Sequence, residues 1–246
     1  MTDDLHAAAN VRFIAVADAA ALRLEALQRI LDAAADAIAQ RGRFLLVLAG
    51  GGTPREVYRS LSRAHGDWSR WQIYFGDERC LDAGHPDRNS TMAGAVWLDQ
   101  ILIPRGNIHP IPAHLGPIDG ARAYQATLST VEDFDLVLLG LGEDGHTASL
   151  FPEQDWGVAS DSPAALPVLA APKPPPERIS LSAARLNQTR AALFLIEGEG
   201  KRQAVTRWRA GASIPAVAIQ PENGIDALVV AELLIPESPP RRPYVE

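Results

Sequence analysis

The chain has 246 residues, of which 47% are apolar and 22% charged, with a net charge of −7 and one cysteine, Cys80. This composition specifies a packed globule rather than a disordered chain, and its acidity argues against a nucleic-acid or anionic-membrane surface. A single cysteine excludes an intramolecular disulfide and a cysteine-based zinc cluster. No apolar run reaches the length of a membrane span, and residues 1–10, with Asp3 and Asp4, lack the apolar core of a signal peptide, so a cytoplasmic chain is expected.

Residues 11–16 read as a strand, and Asp18 is placed to cap a helix over 19–40. There Leu24, Leu27, Ile30, Leu31, Ala34, Ala35 and Ile38 recur at helical spacing, and Gly42 ends the run. Residues 44–48 are apolar throughout, as in a strand buried on both faces. Ala49-Gly-Gly-Gly-Thr-Pro54 follows. Thr53 suits an N-cap and Pro54 the first helical position, so a helix is expected over 54–65. A glycine turn between a strand and a helix start either serves tight turning alone or presents backbone N–H groups to an anion, phosphate above all. The run matches neither the P-loop nor the GxGxxG pattern, so a nucleotide is not indicated. Residues 71–75 predict a strand that empties into Gly76-Asp-Glu-Arg79. This segment reads as an exposed ion-pair turn, or as a place where Arg79 holds an oxyanion. Cys80 has no activating base nearby and reads as packed. A helix is expected over 91–102. A Pro-rich connection over 104–117 carries His109 and His114 without metal-ligand spacing, and a helix over 118–131 follows it.

Residues 134–139 predict a buried strand that breaks at Gly140, Gly142 and Gly145 and delivers Glu143, Asp144 and His146. Beyond Pro152 lies an irregular Pro-rich stretch with a short strand at 168–170. A strand over 178–182 opens on Arg178, a helical turn covers 183–187, and a strand over 191–197 ends at Gly198-Glu-Gly200. Lys201 opens a helix to residue 209 and either faces solvent or points at a bound phosphate. A last strand covers 227–231, and 237–246 reads as a mobile Pro-rich tail. The alternation of strands and helices predicts an α/β fold, a mostly parallel sheet with helices on both faces, in one domain over 1–236.

The glycine turns, Arg79, Arg178 and Lys201 are anion-binding elements. His146, Asp144, Asp77 and Glu78 are acid–base candidates at strand ends. Together they suggest a phosphorylated metabolite handled by proton transfer, and the residues alone go no further.

The sequence resembles the 6-phosphogluconolactonases. The resemblance rests on Gly142-Glu-Asp-Gly-His-Thr-Ala-Ser-Leu-Phe-Pro152, on Gly76-Asp-Glu-Arg79 with the later Asn89, on the turn at Gly50 to Pro54, and on Arg178 with Gly198 and Lys201. It implies a fold shared with glucosamine-6-phosphate deaminases and ribose-5-phosphate isomerases. It also implies hydrolysis of 6-phosphoglucono-δ-lactone to 6-phosphogluconate in the oxidative pentose phosphate pathway, without metal or organic cofactor. The implied roles are His146 as general base for water, Asp77 and Arg79 beside the lactone, and Asp144 or Asp77 as support for the imidazole. Gly51, Gly52, Thr53, Arg178 and Lys201 surround the phosphate in this reading. The implied partner is the sugar-phosphate lactone alone, with the chain a monomer or weak homodimer. Two departures stand out. Ala49 and Gly52 replace the family's usual serines, and Arg88-Asn89-Ser90 replaces Ser-Asn-Tyr, with Arg88 either a rim cation or solvent-facing. The rival readings are a glucosamine-6-phosphate deaminase or isomerase, disfavoured because Thr147 to Pro152 lacks that group's Asn-Glu pair, and a non-enzymatic sugar-phosphate sensor.

Overall fold

The computed structural model describes residues 11–235; the segment 1–10 and the expected tail at 237–246 lie outside the described residues. In chain order the strands are β1 (Val11–Val16), β2 (Phe44–Leu48), β3 (Trp71–Phe75), β4 (Asp77–Arg79), β5 (Leu136–Gly140), β6 (Ala165–Val168), β7 (Arg178–Leu181), β8 (Ala192–Ile196) and β9 (Ile225–Val230). Six of them form one parallel sheet in the order β1-β9-β8-β5-β2-β3. β2 and β8 are buried at every residue because strands and helices flank them on all sides, which is why their sequences are unbroken apolar runs. β1, at an edge, has no fully buried residue and exposes Arg12 and Ala15.

Two salt bridges and two ring contacts fix the layers. Arg12 of β1 and Arg29 of α1 (Ala19–Arg41) both bond Asp226 of β9, at 2.6 and 2.5 Å. Phe13, the next residue of β1, points the other way and packs on Trp208 of the helix Arg202–Arg209, which also packs on Phe194 of β8. Side chains alternate across a strand, so the two helices cover opposite faces of the sheet, as expected. Asp18 caps α1 by accepting from the N–H groups of Ala20 and Ala21 (2.9 and 2.8 Å), and Gly42 closes it at φ +75°. The buried face of α1 differs from the expected stripe. It is Leu22, Ala26, Ile30, Ala34 and Ala37, while Leu24 is 70% exposed. Alanines let the helix lie close to the sheet, so side-chain size rather than hydrophobicity alone selects the face.

α2 (Gly52–Leu61) begins earlier than expected. Its N-cap is Gly51 at φ +106°, and Thr53 lies inside the first turn without capping it. The expected helix at 91–102 is instead a short α3 (Asn89–Ala93) continued by a π turn, Gly94–Leu98. α4 (Pro117–Leu128) packs on a second, three-stranded antiparallel sheet, β4-β7-β6, that the sequence reading lacked. Gly76 alone separates β3 from β4, so what read as a turn at 76–79 is the chain passing from one sheet to the other. β6 covers 165–168 rather than 168–170 and carries Pro167, tolerated because β6 is an edge strand. α5 (Ala183–Asn187) and α6 (Arg202–Arg209) complete the helices among the described residues.

Candidate active site

β2 and β5 are neighbours in the sheet; the next strand of this sheet after β2 is its other neighbour, β3, whereas the next after β5, reached only through β6 and β7 of the second sheet, is β8 on the other side. Loops diverging from adjacent parallel strands leave a crevice at their carboxyl ends. The cavity there has a volume of about 220 Å³ and a floor that includes Leu139 and Leu195. Gly51, Gly52, Thr53, Asp77, Arg79, His146, Arg178 and Lys201 all line it, so eight of the nine expected residues converge. The ninth, Asp144, stands behind the imidazole.

The β2 exit is held from below. The buried Tyr58 of α2 accepts from the Ala49 N–H (3.0 Å) and donates to the Ala49 carbonyl (2.8 Å). Gly50 must be glycine, because a β-carbon would lie 2.1 Å from Asn89 Oδ1. At Gly52 nothing lies within 4 Å of that position, so the absent family serine leaves open space rather than a filled contact. The N-terminus of α2 thus meets the cavity with bare backbone. Tyr124 holds the β3 exit in the same way, accepting from Phe75 N–H (3.0 Å) and donating to its carbonyl (3.2 Å).

Asp77 follows at 6% exposure. Asn89 Nδ2 donates to its Oδ1 (2.9 Å) and Ser149 Oγ to its Oδ2 (2.6 Å). Glu78, expected among the acid–base candidates, is sealed away from the cavity. It accepts from the N–H groups of Arg79, Asn89 and Ser90 and from Ser90 Oγ, and it faces Arg88 Nε at 3.4 Å. Arg88 is therefore neither a rim cation nor solvent-facing. It is 4% exposed, pairs with Glu78 and donates to the Ile111 carbonyl. A carboxylate at the start of α3 also suits the helix dipole. Burial, with Glu177 adding to it, pushes the Cys80 thiol up to about 11, consistent with a packed residue rather than a nucleophile.

Arg79 and Arg178 are directly opposite one another in the β4–β7 ladder. Like charges so placed repel. Neither forms a salt bridge among the described residues; Arg79 donates to the Asp87 carbonyl (2.5 Å) and its buried Nε has no partner. Lys201 sits in a short turn, Glu199–Lys201, just before α6 rather than opening it. Burial lowers its pKa, partly opposed by Glu143. Two opposed guanidiniums, an ammonium and a helix N-terminus give the cavity the charges and donors that an anion requires.

The β5 exit carries the dyad. His146 Nδ1 lies 2.5 Å from Asp144 Oδ1, which also accepts from the His146 N–H at 3.2 Å. A carboxylate on Nδ1 selects the tautomer with its proton there and leaves Nε2 as the base. Burial lowers the His146 pKa and outweighs the upward pull of Asp144, so the ring is neutral near pH 7. Burial alone pushes Asp144 up, but the hydrogen bond and charge of His146 carry it below the usual value. The tight loop bonds Gly142 N–H to the His146 carbonyl at 2.7 Å. Ala148, in the cavity wall, holds φ +47°, a conformation that non-glycine residues adopt at a cost.

Tyr58, Tyr124, Ser149 and Ala148 were not singled out from sequence for this site. A tyrosine within a helix and a serine three after a histidine carry no sign of their partners until the fold brings those partners close.

A family model described as glucosamine-6-phosphate isomerases/6-phosphogluconolactonase matches residues 17–229. A 6-phosphogluconolactonase of Synechocystis sp. is 39% identical over 178 residues, covering 69% of this chain and 72% of that protein. One of Nostoc sp. is 33% identical over 235 residues, covering 89% and 96%. Among solved structures, a 6-phosphogluconolactonase from Thermotoga maritima superposes with a TM-score of 0.82 at 25% identity, covering 89% of this chain and 99% of that one. A monomeric glucosamine-6-phosphate deaminase shares the fold, with a TM-score of 0.78 at 20% identity and coverages of 92% and 98%.

Proposed function

Because the chain belongs to the glucosamine-6-phosphate isomerase/6-phosphogluconolactonase family, we propose that it hydrolyses 6-phosphoglucono-δ-lactone to 6-phosphogluconate with His146 as general base. The observation that carries the reading is the partly buried imidazole of His146, backed by Asp144, in the wall of a cavity also lined by Arg79, Arg178 and Lys201.

Nε2 of His146 takes a proton from water as the water oxygen bonds to lactone C1. Asp144 stabilises the imidazolium that forms. Charge gathers on the carbonyl oxygen, for which the donor is Arg79 or a glycine-turn N–H not engaged with the phosphate. Collapse of the tetrahedral intermediate breaks the bond from C1 to the ring oxygen, which takes the proton from the imidazolium. The new carboxyl group then ionises. Gly51, Gly52, Thr53, Arg178 and Lys201 hold the distal phosphate, so the lactone reaches the base already oriented.

The test is hydrolysis of freshly generated 6-phosphogluconolactone with spontaneous opening subtracted, for the natural chain and for His146→Ala. The variant should lose most of the enzymatic rate and still bind inorganic phosphate. Equal activity removes His146 from the role, and ammonia release from glucosamine-6-phosphate points to the deaminase chemistry of the wider family.

A further inference from the structure

Asp77 and Arg178 carry opposite charges, are 6% and 5% exposed, and line the same cavity, yet they form no salt bridge. Opposite charges at a buried site attract strongly, and contact is the usual outcome. Neutral groups intervene here. Among the described residues, the Asp77 carboxylate accepts from Asn89 Nδ2, through Oδ1 at 2.9 Å, and from Ser149 Oγ, through Oδ2 at 2.6 Å; Asn89 Nδ2 also donates to the Asp77 carbonyl, at 2.9 Å. Arg178 donates to the carbonyls of Lys173 (2.9 Å), Pro175 (3.0 Å) and Pro174 (3.3 Å), and through Nη1 to Ser149 Oγ (3.5 Å). One serine hydroxyl therefore stands between acid and guanidinium, donating to the first and accepting from the second.

We propose that Ser149 is a positioning residue that keeps the Asp77 carboxylate from neutralising Arg178, so that the arginine charge is directed at the anionic group of the substrate. The inference rests on the reading that the substrate carries a phosphate. Ser149 suits the task because a hydroxyl has one proton to give and lone pairs to offer. Its proton is committed to Asp77, which turns its lone pairs toward Arg178. It is itself fixed: it is 1% exposed, and its N–H donates to Oγ of Ser180, the residue opposite Asp77 in the β4–β7 register. Without the hydroxyl, Oδ2 of Asp77 loses a donor, and its best replacement is Nη1 of Arg178. An incoming phosphate then has to displace an internal carboxylate.

The test is calorimetric titration of inorganic phosphate into the full chain, comparing the natural protein with Ser149→Ala, Asp77→Asn and the double variant. Ser149→Ala should weaken phosphate binding roughly tenfold, the size of one charge-assisted hydrogen bond. Adding Asp77→Asn should recover most of that loss, because a neutral amide cannot pair with the guanidinium. A serine with only a packing role predicts no recovery, and that outcome overturns the inference. So does phosphate binding by Ser149→Ala that matches the natural protein. Absence of phosphate binding in the natural protein overturns the substrate reading together with this inference, and so is told apart from failure of the inference alone. If Ser149→Ala does not fold, Ser149→Cys, which keeps the shape but donates weakly, enters the same comparison with the same outcomes.

Discussion

At Gly142 a β-carbon would stand 2.0 Å from His146 Nδ1 and 2.6 Å from Asp144 Oδ1, so the dyad exists only because that residue has no side chain. Gly142→Ala should therefore cost turnover nearly as much as His146→Ala, about a hundredfold or more for a lost general base. Phosphate binding, read by calorimetry, should be unchanged in it. The low pKa of His146 sets a pH profile. In the proposed role the imidazole must be neutral, as it is above its folded pKa, so the acid limb of kcat/KM should be centred below the ordinary 6.5. The sign for stability follows: between the depressed folded pKa and 6.5 the unfolded chain binds the extra proton, so stability falls as pH drops through that window. Asp144→Asn removes the upward pull on the ring. Its acid limb should move to still lower pH while the rate falls, about a hundredfold or more for a disrupted tautomer; a limb that moves up counts against the pairing. These residues were legible because glycines, acids and a histidine crowd into a few positions. Ser149 was not, since its partners lie 72 and 29 residues away.

At the scale of elements, the site is framed by two strand ends held by phenols. Tyr58 grips Ala49 and Tyr124 grips Phe75, each through both N–H and carbonyl, just before the Gly50–Gly52 turn and the Gly76 junction that leads to Asp77 of β4. Tyr58→Phe leaves the Ala49 N–H without its partner. The expected cost is about 1–3 kcal/mol, and a lowered melting temperature checks it. KM should rise more than kcat falls, because the loop that loosens is the one meeting the phosphate in our reading. The central strands were legible as unbroken apolar runs. The second sheet was not, because β4 is three charged residues and β6 contains a proline, and both form only through pairing with β7. Strand pairing, not local propensity, makes them strands. The face of α1 was legible in part: Ile30 and Ala34 are buried and Leu27, Leu31 and Ile38 pack against the core, but the buried centre shifts to Leu22, Ala26 and Ala37 and leaves Leu24 exposed.

At the scale of the molecule, the two sheets share one hydrophobic core that runs from Leu22 through Ile179 and Leu181 to Leu233. The Leu181 N–H donates to the Gly76 carbonyl (2.7 Å) and the Gly76 N–H to the Leu48 carbonyl (2.9 Å), so the junction residue is bonded to both layers. We propose that the described residues form a single domain, as expected over 1–236, and unfold together. Calorimetry should show one transition, and two resolved peaks would divide the sheets. Trp208→Ala, which strips the packing between α6, Phe13 and Phe194, should cost about 3–5 kcal/mol and lower that transition without splitting it. No helix among the described residues is long and apolar enough to cross a membrane.

The register that sets Arg79 against Arg178 has a consequence beyond binding. The backbone register keeps the two arginines neighbours while the chain stays folded, and the charge of Arg79 acts against that of Arg178, so the pair works against the native state. A dissolved oxyanion lodged between them removes that strain, and at a hundred times its dissociation constant it adds about 2.7 kcal/mol of resistance to heat. Melting curves taken in sulfate or phosphate should therefore lie above those taken in chloride at matched ionic strength. Neutralising either arginine should narrow the gap between buffers.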